Sequence, residues 1–462
     1  MEEKKLTDRE QRLATEPMLR LILSMSLPTI MAQLINLLYS VVDRIYIGHI
    51  PEIGSDALAG IGITSSIIIL IAAFAQFVSG GGAPRAAIAL GQGDRERAER
   101  LLANGFSLLI LFTVLCMAGT YLVKDPVLWL IGASENTFGY ASEYLNIYLV
   151  GTFFVQVTVG LNSFITAQGR SGIAMLSVLI GAVINIVLDP IFIFGLGMGV
   201  AGAALATVIA QGVSAAWILR FLFSDRASLR IRPSMMKPEA AIIGSILSLG
   251  IAPFVMASTE SLVGFVLNSG LRSYGGDIHV SALTVMQSAI QIVSVPLSGF
   301  TQGVTPIISY NFGAGNKARL KEAFRIMVSV MFVFNFVSYL LMMLFPRAVA
   351  GVFASDPALI DVVGQVMPMF LAGMTIFGLQ RACQNTFVAL GQARISLFIA
   401  LLRKVILLVP LALLLPRWVT PAANGVYLAE PIADGTAAIL CTTIFAIVFG
   451  RILKGMRSPD ET

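Results

Sequence analysis

In NLLYSVVDRIYIGHI (residues 36–50), Asn36, Tyr39, Ser40 and Asp43 stand at i, i+3, i+4 and i+7, one face of a helix. The stretch ends an apolar run that begins near Leu19. A carboxylate in hydrocarbon costs about 3 kcal/mol on insertion scales and tends to mark function. A second such place is GAVINIVLDPIFIFG (181–195), where Asn185 and Asp189 are i, i+4 and Pro190 follows. The proline ring frees the carbonyl of Ile186. A freed carbonyl is tolerable in a membrane only where other groups or water satisfy it. Thr207 lies in the small-residue stretch GVAGAALATVIAQG, a composition that lets helices pack closely. These positions together predict one polar pocket. Two carboxyls sharing a dry site resist double ionisation, which suits them to take up and release a proton.

Glu260 falls in the middle of the apolar run LGIAPFVMASTESLVGFVLN, with nothing basic beside it in sequence. It is expected to face a cavity near the midplane, which Gln287 and Gln291, at i, i+4, would also line. Aligning Pro28 with Pro253 sets Asn268 opposite Asp43, and an offset of 222 sets Leu411 opposite Asp189. Both deep aspartates are therefore assigned to the first half. The three cysteines, Cys116, Cys383 and Cys441, make no CxxC pair. With two histidines in the chain, no metal or haem site is expected.

The elements that must position these groups follow from composition. Of 462 residues, 56% are hydrophobic and 12% charged, and mean hydropathy is +0.84. Soluble domains carry about 25% charged residues, so the fold expected is an all-α polytopic membrane protein. The net charge of +5 then reflects topology rather than nucleic-acid binding. Apolar runs of about 20 residues lie near 19–47, 57–80, 101–123, 138–166, 173–194 and 199–223. Six more lie near 241–269, 279–308, 323–345, 358–388, 395–415 and 427–450. The first is too long for a signal-peptide core and is read as a retained span.

Twelve spans alternate the intervening segments. Of the 31 Lys and Arg residues, only Arg44, Lys124, Arg272, Arg347 and Arg417 fall on one side, and Arg381, Arg403 and Lys404 within spans. The rest fall on the other side, which the positive-inside rule makes cytoplasmic. Both termini are expected there.

The halves repeat. ALGQGDRERAERLLANGF (89–106) resembles NFGAGNKARLKEAFRIMV (311–328), with Gly91 and Gly313 standing 222 positions apart. Gly169 in FITAQGRSGIAM and Gly391 in FVALGQARISLF share that offset. Six spans per half preserve orientation, so the halves should be related by an axis along the membrane normal, with a cavity between them. The expected units are an N-lobe at 1–225, a cytoplasmic linker at 226–240 and a C-lobe at 241–462. The G-x-G runs lack the features of a phosphate-binding motif. They are read as turns into amphipathic helices lying at the interface.

LPTIMAQLINLLYSVVDRIYIGHI, INIVLDPIFIFGLGMGVAGAALAT and TQGVTPIISYNFGAGN resemble the MATE family of multidrug and toxin extrusion transporters, nearest its bacterial branch of MepA- and DinF-like proteins. The resemblance covers nearly the whole chain. It implies twelve helices in two pseudo-symmetric lobes, and export of organic cations against entry of H⁺ or Na⁺. It implies that Asp43 is the first-span coupling acid, with Asp189, Asn185, Tyr39, Thr207 and Asn36 as its partners, and that Glu260 is a seventh-span acid. The tenth span departs from the NorM-like pattern, offering Gln380, Arg381 and Gln384 but no deep aspartate. That favours H⁺ as the coupling ion, with Na⁺ at Asp43, Asp189, Asn185 and Thr207 as the alternative.

The function expected is therefore a secondary active antiporter, monomeric, in the bacterial inner membrane among lipids, with small organic cations as partners and no cofactor. The alternative is a lipid-linked oligosaccharide flippase, which would need a cavity rich in Arg and Lys. A membrane-embedded enzyme would need a nucleophile, metal or histidine cluster, and two histidines in the whole chain argue against it.

Overall fold

The computed structural model describes residues 8–456. Lys4, Lys5 and Arg457, counted above on the cytoplasmic side, lie outside the described residues. Among the described residues the chain is helical, with no strand. In hydrocarbon every backbone donor and acceptor must be satisfied within its own segment, and a helix does this.

The first half holds α1 (Asp8–Thr15), α2 (Met18–Gly48), α3 (Gly54–Gly91), α4 (Arg95–Ile131), α5 (Glu135–Val150), α6 (Thr152–Ala167), α7 (Ser171–Pro190) and α8 (Gly199–Leu222). The second holds α9 (Ala240–Gly275), α10 (Asp277–Gly313), α11 (Lys317–Leu344), α12 (Pro346–Phe353), α13 (Pro357–Leu371), α14 (Met374–Ala389), α15 (Ala393–Leu401), α16 (Val409–Leu414) and α17 (Ala422–Gly455). Among the described residues ten helical runs are long and apolar enough to cross a membrane, and the bent pairs α5–α6 (60°) and α13–α14 (45°) bring the number to twelve. The runs expected at 138–166 and 358–388 are thus broken rather than straight. Those expected at 57–80 and 101–123 are longer, as α3 and α4 show.

The two G-x-G runs fold alike. Gly93 and Gly315 both adopt φ of +72°, the left-handed region that glycine enters without strain. The next residues cap the following helix: Asp94 accepts from the Arg97 amide at 3.0 Å and Asn316 from the Arg319 amide at 3.1 Å. The capped helices are α4 and α11, which run on unbroken across the membrane. The expectation of separate interfacial helices is therefore corrected. The basic residues form the first turns of long spans, where their heads reach water while the helix continues inward.

At this basic end the halves meet backbone to backbone. A Cβ added at Gly91 would lie 2.0 Å from the Tyr310 carbonyl oxygen, and one at Gly313 would lie 2.1 Å from that of Ile88. Each glycine faces the residue three before its repeat partner, so the contact is two-fold in form. Gly81 meets the Ile246 carbonyl in the same way, and Gly303 meets Ser26. Phe254 of α9 packs on Phe74 and Phe77 of α3, with ring centroids 5.2 and 5.0 Å apart. One apolar core runs through both halves, and the first half keeps a second, smaller core around Ile47, Ile61, Leu128 and Ala203.

Two straps cross the basic end. The Leu13 carbonyl, just before α2, accepts from Asn311 Nδ2 at 3.3 Å and Arg319 Nη2 at 3.2 Å. The segment 226–240 lies on the first half: Leu229 exchanges hydrogen bonds with Gln168, and Arg232 pairs with Glu99 at 2.7 Å.

Candidate functional site

Three helices of the first half converge on one polar pocket. α2 presents Asn36, Tyr39, Ser40 and Asp43, all half-buried. α7 brings Asn185 and Asp189, which is 0% exposed. At Pro190 this helix passes into a π-helical turn, Ile191–Gly195, a local widening that often accompanies functional sites. α8 brings Thr207. Asn185 Nδ2 donates to Asp189 Oδ1 at 3.2 Å and to Thr207 Oγ1 at 3.3 Å. The Asp43 and Asp189 carboxyls are within hydrogen-bonding reach of each other.

Three oxygens in this group, Asp43 Oδ1, Asn185 Oδ1 and Asp189 Oδ2, are buried without a hydrogen-bond partner. No Lys or Arg among the described residues ion-pairs with either acid, and Arg44, next in sequence, is exposed. A proton placed between the carboxyls would give one of these oxygens its missing partner. The donor set, two carboxylates with an amide and a hydroxyl oxygen, is also the hard-oxygen chemistry of an alkali cation. Among the described residues no group of three or more His, Cys, Asp or Glu forms a metal cluster.

Sequence reasoning missed two members. Tyr144 and Tyr148 of α5 are buried and stacked, with ring centroids 6.2 Å apart. The Tyr144 phenol lies beside Thr207 and on the side of the pocket that holds Asp43 and Tyr39. Their i, i+4 spacing in YASEYLNIYLV was visible, but tyrosines in an apolar run carry no mark of their own. Asn36 and Ser40 share the α2 face, yet make no side-chain hydrogen bond among the described residues.

The second half differs from expectation. Glu260 of α9 is not free of basic neighbours: Lys404 Nζ pairs with it. Lys404 comes from the π-helical stretch Leu402–Leu408, between α15 and α16. Beside it, Arg403 pairs with Glu430 at 3.1 Å and with Asp434 of α17, and its guanidinium lies 4.2 Å from the centroid of Phe377. Asp434 is 0% exposed. The assignment of both deep aspartates to the first half is therefore corrected. Glu430 and Asp434 straddle Pro431 at i, i+4, the same signal that marked Asn185 and Asp189. Gln287 and Gln291 are exposed on one face of α10, and among the described residues no hydrogen bond joins them to Glu260. Gln384 turns inward to Ser396, donating to its Oγ and carbonyl at 2.9 Å.

With this geometry in place, comparison with known proteins gives a consistent result. A family model described as MatE matches the chain twice, over residues 28–191 and 253–414, so the two matches begin at Pro28 and Pro253. The multidrug export protein MepA of Staphylococcus haemolyticus is 25% identical over 370 residues, covering 80% of this chain and 81% of that protein. MepA of Staphylococcus aureus is 24% identical over 394 residues, covering 85% and 86%. A solved MATE structure in the bent conformation superposes with a TM-score of 0.91 at 24% identity, over 97% of this chain and 99% of that one. The outward-facing conformation of a MATE family multidrug resistance transporter of the MOP superfamily gives 0.88 at 24% identity, over 98% and 100%. Two matches of the family model, spanning most of both halves, show that the chain belongs to the MatE family of membrane transporters.

Proposed function

We propose that this protein exports small organic cations in exchange for protons by alternating access, with Asp43 and Asp189 as the coupling pair. The reading places it in the bacterial cytoplasmic membrane with both termini inside. The halves 1–225 and 241–462, joined by the linker 226–240, act as two lobes around a central cavity. One observation carries the coupling: two carboxyls within reach of each other, with buried unpartnered oxygens and, among the described residues, no ion-paired cation. Protonated once, the pair shares a hydrogen bond and holds α2 against α7. Deprotonated, it becomes two adjacent anions, which repel each other and attract an organic cation. Proton and substrate thus compete for the same negative charge, and exchange needs only that competition and alternating access.

The energetics suffice. One pH unit supplies about 1.4 kcal/mol per proton, and each 100 mV of membrane potential about 2.3 kcal/mol per charge moved. Concentrating a substrate tenfold costs about 1.4 kcal/mol. Na⁺ on the same oxygens would do equivalent work, and the basic distribution of Lys and Arg supports the orientation. The flippase alternative is disfavoured, because of the three cations within spans Arg403 and Lys404 are each paired with acids and Arg381 alone is left. The relatives named for multidrug export are consistent with a cationic cargo.

The test is efflux of ethidium from proteoliposomes under an imposed proton gradient, then under a sodium gradient. Asp43→Asn and Asp189→Asn should each abolish proton-driven efflux in protein that still folds. Full efflux in either variant overturns the coupling role, and drive by sodium alone reassigns the ion.

A further inference from the structure

The second half gathers six ionisable groups from four parts of the fold: Glu260 of α9, Arg381 of α14, Arg403 and Lys404, and Glu430 and Asp434 of α17. Every acid in this set is taken. Glu430 and Asp434 belong to Arg403, and Glu260 to Lys404. Arg381 is the cation left over. Its guanidinium makes one hydrogen bond among the described residues, from Nη2 to Ser298 Oγ at 3.1 Å. Among the described residues no carboxylate comes within ion-pairing distance of it, although Glu260, Tyr339 and Arg403 lie near it.

A guanidinium carries five donors in a planar fork shaped for a carboxylate. An unpaired cation in a membrane interior is costly, and such residues face a wet cavity or a bound partner. The surroundings of Arg381 fit a wet cavity. Its anchor Ser298 stands seven residues from Gln291 on one face of α10, and Gln287 and Gln291 are exposed. The Glu260 side chain is 68% exposed even with Lys404 against it. For a site built to hold cations alone, an extra arginine is a liability, since it repels the cargo. For a ligand with both charges the wall is complementary: a fork for the anionic end, and the exposed Glu260 carboxylate for the cationic end.

We propose that Arg381 receives the carboxylate of a bound ligand, so that the second half forms a subsite for carboxylate-bearing organic cations. This rests on the reading of the protein as an exporter of charged small molecules, and it adds a substrate class and the residue that selects it.

A matched pair of dyes tests it by equilibrium binding to purified protein, with no gradient. Rhodamine 110 bears a free carboxylate, and rhodamine 123 is its methyl ester, the same cation without the anion. In Arg381→Gln, rhodamine 110 should bind at least about tenfold more weakly, a change of about 1.4 kcal/mol. Rhodamine 123 should change by less than about twofold or bind more tightly. Arg381→Lys keeps the charge and loses the fork, so it should weaken rhodamine 110 alone, by about three- to fivefold. That variant carries the test if the glutamine variant does not fold. Equal weakening of both dyes would make Arg381 a general structural residue and overturn the inference. So would unchanged binding of rhodamine 110, or wild-type protein that binds rhodamine 123 alone. Failure of the wild type to bind either dye would count against the export reading itself.

Discussion

In the first half, Asp43 and Asp189 meet with no ion-paired cation among the described residues; in the second, the corresponding region holds a network of paired charges. Positions 222 before Arg403, Lys404, Glu430 and Asp434 are Gly181, Ala182, Val208 and Gly212. These lie on α7 and α8, the helices that bring Asn185, Asp189 and Thr207. One duplicated corner has therefore kept its acids unneutralised, and its copy has closed most of its charge on itself. A bare acid pair can respond to a proton. A buried acid paired to a buried arginine resists change, because removing either member strands the other. The contrast assigns response to the first half and rigidity to most of the second.

The strongest challenge to that contrast is stability. Glu430→Gln with Asp434→Asn leaves Arg403 buried without a counter-charge, and should cost about 3–5 kcal/mol. Thermal unfolding in detergent reads the loss. Asp189→Asn, which removes charge from an unneutralised site, should leave the unfolding temperature unchanged or raised. If both variants unfold alike, the halves do not differ in this way. A smaller effect sharpens the symmetry beneath the contrast. Gly91→Ala and Gly313→Ala each push a methyl into the facing carbonyl, and overpacking of this kind costs about 1–3 kcal/mol. The two losses should match within about 0.5 kcal/mol, and a clear inequality would mean that the seam is not two-fold. The smallest effect belongs to Thr207→Ala. It removes one neutral hydrogen bond to Asn185, worth about 1 kcal/mol, and should shift the proton dependence of efflux without abolishing transport.

Much of this was legible because hydrocarbon makes polar residues conspicuous. Asp43 and Asp189 stand out singly in apolar runs, and Asn185 sits one helical turn before Asp189 on the same face. The repeat was legible because Gly91 and Gly313 perform one steric task twice, and Gly93 and Gly315 one backbone task twice. What stayed hidden was pairing. Arg403 and Lys404 fall within a span, while Glu430 lies 27 positions further along the chain and Glu260 more than a hundred before. Sequence spacing reports neighbours on one helix, and these partners come from different helices. The basic turns of α4 and α11 misled for a related reason: their charge was read as a separate surface helix, although a capped helix can begin in water and continue into the membrane.

Leu13 is fastened to α10 and α11 of the second half, and α2 begins at Met18. Five residues reach at most about 17 Å even when fully drawn out. The helix that bears Asp43 is thus moored by a short line to the opposite half. Swinging the halves apart at the basic end must either slip that mooring or tug the foot of α2, so a protein tag grafted close upstream of Leu13 would weigh on the same rope that the proton pulls from above.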